Sequence, residues 1–388
     1  MKILYLSPEH VSGTMELWKH EHERRGHICR YVTLFPNNYG FPEDICLNLP
    51  LQPDQGWLVN ARKALYKAIR GPQGQDTDIP ERPPFWCARS LPERLFFRWR
   101  DEMLAPIVRK AILEHGLDDF DIIHLDQGAG FLRDARFIRQ WADAGKRIVT
   151  FYHGSDMRNR GIFPQVDRHA DLRLTCELDL LYLDSRLRYL FLPVDTGRWL
   201  PVESRPDDGI IRISHGARNR FKGTDRIIEV VERLKNHYPL ELVLIQGVSH
   251  DEAMRMKAES DIAIDQITDA GGWGYGMSGI ENLCLGIPTC TRLRDEYVEF
   301  IPDHPFVNVN PDNLEDELIR LIEDTAYRHA KEEEGRAWVE RTHDIKAVAD
   351  VLYGYYAERR WVQEQGSRDG HRMAELNSAS KRPRPDSR

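Results

Sequence analysis

Residues 271–288 read GGWGYGMSGIENLCLGIP, and the fold follows from how this stretch is understood. Five of its first nine residues are glycine, too many for the interior of a strand or helix. Such a run suits a loop whose backbone must turn through positive φ or approach a ligand closely. A helix is predicted to begin at once. Ser278 and Glu281 have capping-box spacing, and Ile280, Leu283 and Cys284 give one apolar stripe. Gly286 ends that helix and Pro288 prevents its restart. A glycine-rich loop opening onto a helix N-terminus offers unsatisfied N–H groups and a positive dipole end, which suits phosphate.

The pattern on either side is a repeated alternation of strand and helix. Upstream, residues 210–214 and 241–246 read as strands, 225–237 and 249–260 as helices, and 261–267 (DIAIDQI) as the strand that leads into the glycine loop. Residues 249 and 252 form a second capping-box pair. Downstream, residues 311–342 are predicted largely helical and 344–362 a final amphipathic helix. The N-terminal half shows the same grammar. Residues 2–6 are a buried strand, 14–25 a helix closed by Gly26, 28–34 a strand, 121–125 a strand, 129–144 a helix and 147–152 a strand. Strand-like pieces at 171–183 and 189–192 follow. This is the order of a doubly wound α/β sheet, twice over. The dinucleotide fingerprint GxGxxG is missing from the first loop, so a nicotinamide or flavin enzyme is disfavoured.

The totals agree. A chain of 388 residues exceeds one ordinary core, and 41% hydrophobic with 30% charged residues is a globular composition. The net charge of −8 argues against a nucleic-acid partner held by bulk charge. Six cysteines without a close pair of ligand spacing read as reduced thiols, and no leader or spanning segment is expected at the N-terminus. These features point to a cytoplasmic protein. Residues 58–70 carry Arg62, Lys63, Lys67 and Arg70 with no acidic residue, and residues 92–115 carry Phe96, Phe97 and Trp99 among arginines. The basic helix at 58–70 suits peripheral contact with an anionic membrane at its inner face, a phosphorylated acceptor, or a solvated surface. Residues 71–84 read as a linker or loop, 200–209 as the domain boundary, and the polar stretch from 366 as a disordered tail.

The two Rossmann-like halves, the C-terminal helix, and the pair KGTD at 222–225 and GIENLCLGIP at 279–288 resemble the GT-B fold, and more narrowly the retaining glycosyltransferases of family four. The resemblance is strong over 210–300, fair at 1–34 and 121–160, and weak over 36–120. It implies an N-terminal acceptor domain (1–200), a C-terminal nucleotide-sugar domain (201–343) facing it across a cleft, a helix (344–363) crossing back, and a tail (364–388). It implies transfer of a sugar from a UDP- or GDP-linked donor to a hydroxyl acceptor with retention, using donor phosphate as base, and demands no metal or other cofactor.

By the same resemblance Glu281 binds the donor ribose, while Arg220 and Lys222 neutralise the departing diphosphate. Arg218 is the alternative partner of Lys222, because the family spacing is usually wider. Backbone groups of Gly274, Tyr275, Gly276 and Met277 meet sugar and phosphate, and Gly13 stands where a paired glycine admits the phosphate. His153, just past a strand end, lines the site near the transferred sugar, with Asp156, Arg158 and Arg160 as acceptor contacts. One departure is plain: the family glutamate eight positions before Glu281 is Trp273 here. It favours the rival reading, a non-catalytic nucleotide-sugar-binding or partner subunit. A sugar-nucleotide epimerase of the same fold is a third reading. The DDFD at 118–121 precedes a strand and reads as a loop rather than a metal motif.

Overall fold

The computed structural model describes residues 1–10, 13–37, 40–50, 84–88, 90–202, 208–216 and 222–362. The basic stretch 58–70, most of the 71–84 segment, Arg218, Arg220 and the tail from 366 lie outside the described residues. The chain forms two compact units. One holds Met1–Thr175 with Arg186–Arg188; the other holds Cys176–Ser185 and the described residues from Tyr189 onward.

In the first unit the order is β1 (Lys2–Ser7), α1 (Thr14–Arg24), β2 (Ile28–Thr33), β3 (Ile45–Cys46), α2 (Leu91–Glu114), β4 (Ile122–Asp126), α3 (Arg136–Asp143), β5 (Arg147–Tyr152) and β6 (Leu172–Thr175). After α4 (Leu178–Leu183), which belongs to the other unit, β7 (Leu187–Tyr189) completes a seven-stranded sheet in the order β3-β2-β1-β4-β5-β6-β7. The strands read as continuous apolar runs because helices cover both faces, and β1 is buried from Ile3 to Ser7. Two predicted elements differ. Residues 171–183 are not one strand: the leucine-rich LDLLYL winds into α4. The helix after β4 begins at Arg136 rather than 129, because Gln127, Gly128 and Ala135 all take positive φ.

The second unit contains β8 (Ile211–Gly216), α5 (Thr224–Leu234), β9 (Leu240–Ile245), α6 (His250–Ala258), β10 (Ile262–Ile264), α7 (Met277–Cys284), β11 (Thr289–Thr291), α8 (Asp295–Phe300), β12 (Val307–Asn308), α9 (Leu314–Glu323), α10 (Thr325–Thr342) and α11 (Ile345–Glu358). Its five strands run parallel in the order β12-β11-β10-β8-β9. The core lies between this sheet and α5 and α9, with Ile227, Val231, Leu318 and Leu321 in one cluster with Ile213 and Ile264.

Both sheets place a topological switch where the chain reverses its direction of winding, between β1 and β4 in one and between β8 and β10 in the other. At such points the loops leave to opposite sides and a crevice opens at the carboxyl ends of the strands.

Gly161 tests the packing of the first unit. It has φ +91°, and a Cβ added there would lie 2.7 Å from the Pro84 carbonyl and 2.9 Å from the Trp86 nitrogen. Backbone atoms cannot rotate aside, so Gly161→Ala is expected to cost about 2 kcal/mol or more. Urea unfolding would show it as a lower midpoint; an unchanged midpoint would mean that residues 84–86 give way freely.

Candidate functional site

At the first switch point three side chains meet. Ser7 ends β1 and Asp126 ends β4, and the pairing of Leu6 with Leu125 sets them side by side. The Ser7 hydroxyl donates to Asp126 Oδ2 at 2.7 Å, and His153, one residue past β5, contacts Asp126 Oδ1 through Nε2 at 2.5 Å. Burial pushes the Asp126 carboxyl up, but His153 and Ser7 outweigh it and hold the group below its ordinary value. The His153 side chain remains 27% exposed, so an imidazole backed by a carboxylate stands at the sheet edge.

The turn after His153 serves that imidazole. Asp156, expected to contact acceptor, is buried, and its carboxylate accepts the N–H of His153 at 2.9 and 3.1 Å and of Met157 at 2.7 Å. These bonds shape the turn. Arg160 donates to the Gln127 carbonyl and stacks 4.5 Å from the Phe163 ring centroid, which makes it a brace between the loops after β4 and β5. Arg158 lies over Gly154, where an added Cβ would fall 2.6 Å from its guanidinium. Gly13 precedes α1 with φ +71°, and the space beside it is filled by Phe41, 2.7 Å from an added Cβ. Its glycine is required locally. The aspartates of 118–121 support packing: Asp118 accepts the Trp141 indole N–H at 2.6 Å, and Asp121 accepts the Lys2 N–H at 2.8 Å.

The second switch point carries the other group. Lys222 Nζ donates to Asp265 Oδ1 at 2.5 Å, and Asp265 Oδ2 accepts the Gly276 N–H at 3.2 Å. Asp265, itself buried and directly after β10, therefore joins the basic loop to the start of α7. His215, in β8, is fixed beside it. Its Nδ1 faces the Ile264 carbonyl at 2.8 Å, which can only accept, so Nδ1 carries the proton and Nε2 accepts from the Thr224 hydroxyl at 2.9 Å. Burial lowers its pKa, keeping it neutral there.

Glu281 does not close a capping box. The N-cap of α7 is Gly276, with no side-chain bond, so Ser278 already lies inside the helix and Glu281 is too far along it to reach back. The predicted pair at 249 and 252 does cap: Ser249 Oγ accepts the Glu252 N–H at 3.3 Å. Glu281 instead turns toward α6, contacting His250 Nε2 at 2.9 Å and Lys257 Nζ at 2.5 Å; Lys257 also donates to Ser278 Oγ at 3.1 Å. Burial pushes the Glu281 carboxyl up, yet Lys257 and His250 together bring it down to about 2.

The glycine stretch is rigidly held. Trp273 is buried, with Arg294 4.5 Å from its ring centroid and Tyr182 5.6 Å away. The indole is a packing residue. Tyr275 is buried too, among Tyr297, Phe306 and Trp338, and its hydroxyl donates to His343 Nε2 at 3.0 Å. The Gly274 carbonyl accepts Gln266 Nε2 at 2.6 Å. Since the Gly276 N–H is held by Asp265, the N–H groups left without an acceptor among the described residues at the start of α7 are those of Met277 and Ser278.

The sequence reading missed Ser7, Asp126, Asp265, Lys257 and His250. Asp126 and Asp265 carried a usable signal, since each is an aspartate at the carboxyl end of an apolar run, IIHLD and IAID. Lys257 and His250 had none, because only α6 packing against α7 brings them to Glu281.

No family model matches the chain, and no curated protein matches its sequence. Solved structures do match in fold. Sucrose-phosphate synthase from Thermosynechococcus elongatus superposes with a TM-score of 0.60 at 12% identity, covering 93% of this chain and all of that one. Anabaena HepE in complex with UDP and glucose gives 0.55 at 12%, covering 92% and 100%. A UDP-N-acetylglucosamine 2-epimerase gives 0.52 at 10%, covering 95% and 99%. The fold is therefore α/β of the GT-B type, with two Rossmann-like sheets.

Glu281 has a depressed folded pKa, so its contribution to stability is present above the unfolded value near 4.5 and lost as pH falls toward 2. Lys257→Met leaves that carboxylate buried without its main cation and is expected to cost about 3–5 kcal/mol at pH 7. The deficit should shrink toward pH 3 as Glu281 is protonated. Unfolding free energies of wild type and variant across that range check this; a deficit independent of pH would deny the coupling.

Proposed function

We propose that this chain transfers a sugar from a nucleotide-sugar donor to a hydroxyl acceptor. The observation that carries the reading is the polar group at the second switch point: Lys222 oriented by Asp265, the open first turn of α7, and the buried Glu281. A nucleoside diphosphate needs fixed positive charge and N–H donors for its phosphates and a carboxylate for its ribose, and Lys222, the first turn of α7 and Glu281 are groups of those three kinds. Lys222 has donors beyond the one given to Asp265, and by the sequence resemblance Arg218 or Arg220 is its cationic partner. Glu281 takes the ribose by exchanging contacts with His250 or Lys257. Complexes of HepE with UDP and with UDP-glucose support a uridine-linked donor.

Retention, the family-four relationship and independence from metal rest on the sequence resemblance alone. A second reading has its own support. The His153–Asp126 pair has the form of a general base held by a carboxylate, and a base that takes the acceptor's proton serves a direct displacement, which inverts the anomeric centre. Trp273 continues to favour the non-catalytic reading, a protein that binds the donor without turning it over.

One set of measurements separates these. Saturating UDP, at about 100 times its Kd, should stabilise wild type by roughly 2.7 kcal/mol in a thermal-shift experiment. Lys222→Ala should weaken UDP binding roughly tenfold to a hundredfold while hardly affecting uridine; equal losses would remove the phosphate assignment. With turnover established by UDP release, proton NMR of the product gives the anomeric configuration. A retained centre supports the first reading, and an inverted one, with loss of kcat in Asp126→Asn, supports the second. Stabilisation by UDP without any release would leave a binding protein.

A further inference from the structure

The first three turns of α2 leave the core. No residue from Leu91 to Arg100 is buried, whereas Asp101, Leu104, Ala105, Val108, Ala111 and Ile112 on the same helix are. Yet the exposed turns are not polar. Leu91, Leu95 and Trp99 are 61%, 56% and 54% exposed, and at spacings of four they make one stripe, with Phe96 at 47% beside it. Phe97 faces the other way, against Trp86 and 3.5 Å from the Arg133 guanidinium. Arg94 and Arg98, both exposed, run along the flank of the stripe. Over residues 91–100 three arginines stand against one glutamate. Glu102, at the end of this face, is already paired with Arg136 at 2.6 Å.

We infer that this face of α2 docks the protein on an anionic lipid bilayer. Large apolar side chains and arginines on one exposed stripe require a partner that offers a hydrocarbon layer and negative charge within a few ångströms of each other. The boundary between acyl chains and phosphate headgroups offers both: the leucine and aromatic side chains enter it, and the arginine stems reach back to the phosphates. Over about ten residues the stripe is about 15 Å long, enough to lie in the interface and far too short to cross it. Other occupants fit less well. A second copy related by a two-fold axis would bring two arginine-flanked stripes together and add positive charge to a positive face. Residues 58–70 of the same chain carry four basic residues and no acidic one, so they would add positive charge to a positive face. The inference does not depend on the sugar-transfer reading.

The test is co-sedimentation of the full chain with sucrose-loaded vesicles of phosphatidylcholine, alone or mixed with phosphatidylglycerol. Wild type should pellet with the anionic vesicles only, and less as salt is raised. Arg94→Gln with Arg98→Gln should lower the partition coefficient roughly thirtyfold, and Leu95→Glu with Trp99→Glu should abolish pelleting. All four positions are exposed, so the melting temperature and the response to UDP should stay at wild-type values. Should the glutamate pair fail to fold, Trp99→Ala serves in its place. Equal pelleting of wild type and the Leu95/Trp99 variant would overturn the proposal, as would wild type that ignores anionic vesicles. So would a wild-type dimer in sedimentation velocity that the variant converts to monomer, since the stripe would then be an interface between copies.

Discussion

Parallel strand pairing is the constraint on which the rest of this structure depends. When β1 pairs with β4 and β8 with β10, neighbouring strands end at the same edge. The chain must then leave them toward opposite sides of the sheet. Apolar side chains fill most of both faces, and Ser7, Asp126, His153 and Asp265 lie at or just past the carboxyl ends of their strands. Ser7, Asp126 and His153 gather at one such edge, and Asp265 with Lys222 and Gly276 at the other. Neither group is assembled by a local motif. Each is assembled by register.

Burial of charge then governs what the groups look like. A carboxylate taken out of water must find cations or N–H donors, or else give up its charge. Asp126 uses an imidazole and a hydroxyl, Asp265 an ammonium and a backbone amide, and Glu281 an ammonium and an imidazole. The first contact in each case is internal to its own unit. All three carboxylates are therefore already engaged.

How much of this was legible follows from the range of the interactions. Strand and helix placement came through because it rests on periodicity within a dozen residues: both sheets, the capped start of α6 and the long α2 lie where the pattern predicts them. The errors have local causes as well. Consecutive positive-φ residues after β4 delayed α3, and LDLLYL suits a buried helix as well as a strand. The site was harder. Lys222 and Glu281 stand out by type and setting, but their partners lie 43 and 24 residues away, and such distances leave no trace in spacing. Trp273 is the instructive case. Its identity announced a missing carboxylate, but only the packing against Arg294 and Tyr182 shows that the indole belongs to the loop's foundation.

The Tyr275–His343 contact gives the glycine stretch a character its composition does not suggest. His343 Nδ1 donates to the Leu192 carbonyl at 2.6 Å, so Nε2 is the acceptor for Tyr275, and burial holds this imidazole down at about 4. The ring stays neutral across physiological pH and its two bonds do not change. Residues around 192, 275 and 343 are thereby knotted at one point, reinforced by the Val194 N–H to the His343 carbonyl at 2.8 Å. Five glycines in nine residues usually suggest slack. Here they act more like the thin links of a taut chain: they let the backbone bend sharply between anchors without letting it swing. His343, at the junction of α10 and α11, holds one end of that chain.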